Sequence, residues 1–335
     1  MPSSDEPLIH FETLSDRPRV FRMTEALIST AKARNKMNTP TSIGEDLRDL
    51  SWLSHAVGLV THNDVLISPK FPLRELGAAA PKLRWIHITG AGVDPLLPLD
   101  WLPQQAVLTN NSGVHAEKIR ESSAMILLML NSRVPAIISN ERNARWQQIF
   151  TSTIRGKTVL IIGVGDMGGA AAQAARQLGL HILGIRRSGA PHPDVDQMFR
   201  TDDLDKALPL ADFVLLATPL TTETKSLMDE RRIRLMKPGA GFINIGRAGL
   251  ADYAALAEAL REGRLSGAVL DVYDPEPLPP SSPLWAVDNL IIMPHVTSDD
   301  EDQYLPKSFD LVFENVRRLT AGKQLLNVVD RERGY

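Results

Sequence analysis

The sequence predicts an α/β protein built on parallel, doubly wound sheets, and three observations predict it. From Gly156 onward, short apolar runs of strand length alternate with helix-forming stretches. Two of those runs, Val159-Leu160-Ile161-Ile162 and Phe213-Val214-Leu215-Leu216, are apolar at every position, as strands covered on both faces must be. The third is the turn Gly163-Val164-Gly165-Asp166-Met167-Gly168, which leads from the first run straight into an alanine-rich stretch.

In chain order the second half reads as strand 158–162, helix 167–178, strands 181–185, 212–217 and 241–245, helix 253–262, and strands 268–271 and 290–293. Residues 1–113 are also α/β in character. There Asp64-Val65-Leu66-Ile67, Leu83 to Ile88 and Ala106 to Thr109 read as strands feeding turns, and 44–56 as a helix. A stretch free of Pro and Gly, His115 to Leu130, follows Asn111-Ser112-Gly113 and predicts a helix that opens a new domain. After the acidic run Asp299-Asp300-Glu301-Asp302, a last helix covers about 306–320. A chain of 335 residues suits two domains, because single cores stop growing at roughly 250 to 300 residues.

Composition excludes more than it assigns. Hydrophobic residues at 43%, charged residues at 23% and a net charge of -3 describe a globular chain with no broad attraction for nucleic acid or anionic lipid. The absence of cysteine rules out disulfides, thiolate nucleophiles and cysteine-held zinc, and no metal is expected. The start MPSSDEPLIH is acidic and has no apolar stretch of signal-peptide length, so a cytoplasmic location is expected. The longest apolar run, Ala124 to Leu130, is far short of the roughly 20 residues of a bilayer span and reads as a buried helix.

The turn fits G-x-G-x-x-G between a strand and a helix, the setting in which this pattern binds a dinucleotide. Gly163 permits the tight turn, Gly165 lets backbone approach a pyrophosphate, Gly168 allows close packing, and Asp166 and Met167 open the helix whose N-terminus receives the phosphates. NAD sites place a carboxylate at the end of the next strand. Here that strand ends in Arg186-Arg187-Ser188, eighteen residues after Gly168. A guanidinium binds a 2′-phosphate that a carboxylate would repel, so NADP is expected over NAD.

Three further segments end predicted strands: Asn244-Ile245-Gly246-Arg247, Asp271 to Pro277 and Met293 to Ser298. That edge of a doubly wound sheet is where ligands bind. Reduction of a 2-oxo acid needs a cation for the carboxylate, an acid for the forming alkoxide, and a group that keeps the acid charged. Arg247, His295 and Glu276 supply these. Singly, each has a plainer reading as a solvated or packed residue; together on one edge they do not.

These segments resemble the D-isomer-specific 2-hydroxyacid dehydrogenases, in the branch of NADP-preferring glyoxylate and hydroxypyruvate reductases. The resemblance runs through HITGAGVD (87–94), TNNSGVHAEKIRES (109–122), VLIIGVGDMGG (159–169), LLATPLTTETKSLMD (215–229), MKPGAGFINIGRAGLAD (236–252), LSGAVLDVYDPEPLP (265–279) and MPHVTS (293–298). It implies two Rossmann-like or flavodoxin-like domains, with the nucleotide domain, 114–298, inserted into a substrate domain made of 1–113 and 299–335. It implies Arg247 at the substrate carboxylate, His295 as acid and base paired with Glu276, and Ala91, Gly92 and Val93 as substrate-binding backbone. Thr218, Pro219, Ile245, Gly246 and Asp271 become cofactor contacts, with Asp271 near the nicotinamide. A homodimer is implied as well.

Three positions depart from the family's habit: Arg186 replaces the usual acidic ribose ligand, Ala248 stands where many members have glycine, and Thr297 replaces a commoner alanine or glycine. Trp52 and Lys70 are weaker candidates for the pocket, with packed Trp and solvated Lys the plainer readings. A second functional class, a nucleotide-sensing scaffold similar to the C-terminal-binding-protein corepressors, shares the fold; formate oxidation fits less well.

Overall fold

A computed structural model describes residues 7–335; the first six residues of the start MPSSDEPLIH, on which the expected location was read, lie outside them. The chain divides into two compact units, one running to His115 and resuming at Asp299, the other spanning Ala116–Ser298. The sequence places the first boundary two residues earlier.

The first unit holds five parallel strands: β1 (Ile9–Thr13), β2 (Thr41–Glu45), β3 (Gly58–Thr61), β4 (Trp85–Ile88) and β5 (Val107–Thr109), in the order β2-β1-β3-β4-β5. β1, β3 and β4 are buried at every residue, which parallel strands covered on both faces require. The helix Tyr304–Thr320 covers one face and sets Phe309 edge-on to Phe11 at 5.6 Å. Such a pair adds about 1 kcal/mol beyond the area it buries. Downstream, Val328 bridges back to Thr109 on β5.

Two expectations for this unit fail. Residues 64–66 belong to a short helix, Asn63–Leu66, with Ile67 as its C-cap, begun by the His62 ring, which accepts from the Asp64 amide. A run of three apolar residues, Val65-Leu66-Ile67, cannot by itself tell a strand from a helix turn. The helix expected over 44–56 is instead the end of β2, a bend at Asp46 and Leu47, both with positive φ, and a 3-10 turn at Ser51–Ser54. Two consecutive left-handed residues stop any right-handed helix.

The second unit holds seven parallel strands: β6 (Thr158–Ile162), β7 (His181–Ile185), β8 (Gln197–Phe199), β9 (Phe213–Leu216), β10 (Gly241–Asn244), β11 (Gly267–Leu270) and β12 (Leu290–Ile292). Their order is β12-β11-β10-β9-β6-β7-β8. The chain builds outward from β6 through β7 to β8, then returns to lay β9 on the other side of β6. Strand order therefore reverses between β6 and β9, which places the ligand crevice at their carboxyl ends.

Helix Ala116–Asn131 packs on helix Asp166–Gln177, where Ile119, Ile126, Leu127 and Leu130 meet the alanines at 170, 171, 172 and 175. Small side chains on one helix let the larger ones of the other approach its backbone. The run 124–130 is only half buried, since Met125 and Leu128 are 42% and 43% exposed. Among the described residues no single helix is long and apolar enough to cross a bilayer.

Candidate active site

The glycine turn follows β6 at the reversal. Gly163 has φ +95°, and a Cβ there would lie 2.6 Å from the Thr218 amide nitrogen after β9. The two crossing segments touch through that missing side chain. A Cβ on Gly168 would stand 1.9 Å from the Gly163 carbonyl oxygen, so the third glycine closes the turn on itself as well as permitting packing. Gly165 differs: a Cβ there would meet nothing within 4 Å. It is also the N-cap of the 12-residue helix Asp166–Gln177 and offers no side-chain cap. Unsatisfied helix amides behind an open, side-chain-free approach fit a pyrophosphate.

β7 ends at Ile185, and the Arg186 amide donates to the Phe199 carbonyl of β8 at 3.1 Å. A turn from Arg186 to Gly189 comes next, leaving Arg187 and Ser188 exposed and Arg186 half-buried. Beyond β9, Thr218 is half-buried and Pro219 exposed.

Arg247, Glu276 and His295 lie in the loops after β10, β11 and β12, three strands adjacent in the sheet. Asn244, the last residue of β10, pins the first loop: its amide nitrogen donates to the Arg247 carbonyl at 2.9 Å and its oxygen accepts from the Gly246 amide at 3.0 Å. Ile245 and Gly246 are buried, so Arg247 rises from a fixed base. Tyr253, which residue pattern alone does not single out, accepts from Asn244 and donates to the Val272 carbonyl, tying the β10 loop to the β11 loop.

His295 Nδ1 and Glu276 Oε2 are 2.8 Å apart. The other oxygen of Glu276 accepts from the Tyr273 amide at 2.7 Å, which fixes the carboxylate. The hydrogen bond to Glu276 raises the His295 pKa, against opposing contributions from burial and the Arg247 charge. Burial pushes the Glu276 carboxyl up, but the His295 hydrogen bond, the Tyr273 amide and the charges of His295 and Arg247 together bring it below its ordinary value. Both shifts favour an imidazolium beside a carboxylate. Arg247 acts electrostatically on both partners, which places the three charges in one field.

His295 has φ +54°, a conformation rare outside glycine. Asp271, at the end of β11 and 1% exposed, holds the strained loop. Its oxygens accept from the Val296 amide at 2.9 Å, from the Thr297 amide at 3.3 Å and from the Thr297 hydroxyl. Burial raises the Asp271 pKa, and Thr297 opposes the rise. The hydroxyl that replaces alanine or glycine in this segment thus supplies a donor to a buried carboxylate.

In the first unit, Ala91 and Gly92 are half-buried and Val93 buried. Trp52 is packed, stacked on His10 at 4.1 Å, and Lys70 is exposed.

Residues 124–297 match the family described as D-isomer specific 2-hydroxyacid dehydrogenase, NAD binding domain. The chain belongs to that family. This dehydrogenase is similar to a glyoxylate reductase of Korarchaeum cryptofilum, 31% identical over 269 residues that cover 77% of this chain and 79% of the relative. Its fold is similar to that of a D-isomer specific 2-hydroxyacid dehydrogenase from Xanthobacter autotrophicus Py2, solved with NADPH and MES, at a TM-score of 0.83 and 28% identity over 98% of this chain and 99% of that one. It is also similar to an NADPH-dependent glyoxylate/hydroxypyruvate reductase from Sinorhizobium meliloti, solved with NADP and sulfate. There the TM-score is 0.80 and the identity 25%, over 98% of this chain and all of that one, 100%. The dehydrogenase is an NAD(P)-dependent oxidoreductase with two parallel α/β sheets.

Proposed function

We propose that this dehydrogenase reduces a small 2-oxo acid of the glyoxylate or hydroxypyruvate class to the (R)-2-hydroxy acid with NADPH, His295 serving as the acid. The observation that carries the proposal is the 2.8 Å pair of His295 and Glu276 beside Arg247, on three adjacent loops of one sheet edge. NADPH, when bound, supplies the hydride. The chain's own residues do the rest. His295, held protonated by Glu276, gives its proton to the substrate carbonyl oxygen as negative charge develops there. Arg247 binds the substrate carboxylate and fixes the face presented. In the reverse direction His295 takes the proton back.

The cofactor side rests on Gly163, Gly165, Asp166, Met167 and Gly168 for the pyrophosphate, with Thr218, Pro219, Ile245 and Gly246 lining the same edge. Arg186, Arg187 and Ser188 lie where a 2′-phosphate would be met, which favours NADP over NAD. Asp271 acts in our reading through the His295 loop. In the first unit, the backbone of Ala91, Gly92 and Val93 serves the substrate carboxylate.

Initial rates with NADPH and NADH against a graded series of 2-oxo acids test chemistry, cofactor and size together. Negligible turnover across the series would replace the enzyme with a nucleotide-sensing scaffold.

We also propose a homodimer. Its support is apolar surface on the second unit: Trp146 is 97% exposed and Phe150 88%, on a segment that follows a helix exposing Ile137. Exposed aromatics of that size are marks of an interaction surface. Light scattering of the purified protein should give twice the chain mass of 36.9 kDa, and Trp146→Ser should lower it.

A further inference from the structure

The loop after β4, residues 89–93, has every carbonyl from Thr89 to Gly92 engaged. The Thr89 oxygen accepts from Asn111 Nδ2 at 2.6 Å and from the Tyr304 hydroxyl. The Gly90 oxygen accepts from the Asn111 amide at 3.1 Å. Asn110 Nδ2 donates to the Ala91 oxygen at 2.7 Å, and Asn63 Nδ2 to the Gly92 oxygen at 2.9 Å. Among the described residues, none of the amides of Gly90, Ala91, Gly92 and Val93 has an acceptor.

A trans peptide unit points its C=O and the following N–H in opposite directions. Anchoring four consecutive carbonyls therefore aims four consecutive N–H groups the other way. The anchors are themselves fixed: Asn111 is fully buried, and Asn63 and Asn110 are each 8% exposed. Asn111 also donates to Ser308 at 2.7 Å, so its oxygen accepts from the His87 ring at 3.1 Å. The ring's other nitrogen then accepts from the Thr109 hydroxyl at 2.9 Å, and that oxygen takes the Trp85 indole N–H at 2.8 Å. Burial holds His87 neutral by bringing its pKa down to about 4, which keeps this chain of donors in one direction.

We propose that Asn63, Asn110 and Asn111 are positioning residues that set four backbone amides of Gly90, Ala91, Gly92 and Val93 as a preformed donor row for the carboxylate of the substrate. The proposal rests on the reading of this chain as a 2-oxo acid reductase. Preset donors bind an anion without reorganising, and they bind ground state and transition state alike, so their loss raises KM more than it lowers kcat.

The test uses the full chain with Asn63→Leu and Asn110→Leu, sparing the fully buried Asn111. Each variant should raise the KM for glyoxylate about five- to tenfold, the scale of one misplaced hydrogen bond. Turnover should stay within about twofold and NADPH affinity should not move. An unchanged KM in both variants overturns the proposal, as does a parallel loss of kcat, KM and melting temperature, which marks a merely structural role. A second arm separates this from failure of the reaction itself: ¹⁵N amide shifts of Gly90 and Gly92 are followed while oxalate is titrated. If the parent protein reduces no 2-oxo acid yet oxalate moves those amides, and the variants lose the response, the donor row stands and the reductase reading falls. If oxalate leaves the parent's amides unmoved, the donor row falls.

Discussion

Each of the two sheets reverses its strand order once, between β1 and β3 in the first unit and between β6 and β9 in the second. By topology alone both reversals are ligand crevices. The segment beyond each strand decides between them. After β1 the polar groups are already spent: the Thr13 carbonyl accepts from the Asp46 amide, Ser15 donates to the Asp46 carboxylate, and the next helix, Glu25–Arg34, is capped by Thr24. After β6 the helix has no side-chain cap and its approach is open. Two histidines, one in each unit, differ in the same way. His295 faces a carboxylate and is raised; His87 faces an amide and a hydroxyl and is lowered. One is set to carry a proton, the other to refuse it.

The sharpest way to break this contrast is to remove the proton carrier. His295→Ala should cost about a hundred- to ten-thousand-fold in kcat while NADPH still binds, and a variant with near-parental rates on every accepted substrate would end its role as acid. In the parent, reduction should be supported at low pH and fade as pH rises through the raised His295 value, with oxidation showing the opposite trend. The same group contributes stability that is full below the unfolded value near 6.5 and is lost as pH climbs through the folded one.

His87 should do the reverse. Its folded value of about 4 lies below the ordinary 6.5, so the unfolded chain takes up a proton first. Stability of the first unit should be flat above that pH and fall by about 3 kcal/mol as pH drops towards 4. Hydrogen exchange of the Ile86 and Ile88 amides across that range measures it, and His87→Gln should flatten the slope.

Smaller effects test the cofactor edge. Arg186→Ala should weaken NADPH about tenfold or more and leave NADH nearly unchanged, since only the former loses a charge-assisted hydrogen bond; equal losses would make Arg186 a solvated strand end. Smallest in stability is Gly165→Ala. It should leave folding within about 0.5 kcal/mol yet weaken NADPH, whereas Gly168→Ala, blocked by the Gly163 carbonyl, should destabilise the protein with no cofactor present. Equal melting temperatures for the two variants would show that the turn has more room than its backbone allows.

The second unit was readable in the sequence because most of its strands are near-continuous apolar runs, and β6 and β7 match their expected ends residue for residue; β8, Gln197–Phe199, is a short, partly exposed edge strand with no such run and was not expected. The first unit was less readable. β2 is a half-exposed edge strand, Thr-Ser-Ile-Gly-Glu, whose pairing with β1 comes from register rather than from any apolar pattern of its own. Residues 64–66 form a helix turn because a histidine side chain caps them, an interaction that leaves no periodic trace. At the site, Arg247, Glu276 and His295 announce themselves by residue type and strand-end position. Asn244, Tyr253 and Thr297 do not, since their work is to hold backbone in place, and only coordinates show which carbonyl or carboxylate a side chain reaches. For Thr297 there was a hint, in its departure from the small residue usual there.

The first unit closes its apolar interior with residues from beyond the second. Phe309 and Phe313 cover Phe11, and Val328 returns to Thr109, only once the segment from 304 to 329 exists. On the ribosome, then, the inserted unit can complete its own core while the earlier-made strands still lack their lid, and Phe11 stays open to solvent or a chaperone until the segment from 304 onward has been made. A stalled or prematurely terminated message would leave a finished nucleotide fold attached to a sticky, unfinished neighbour.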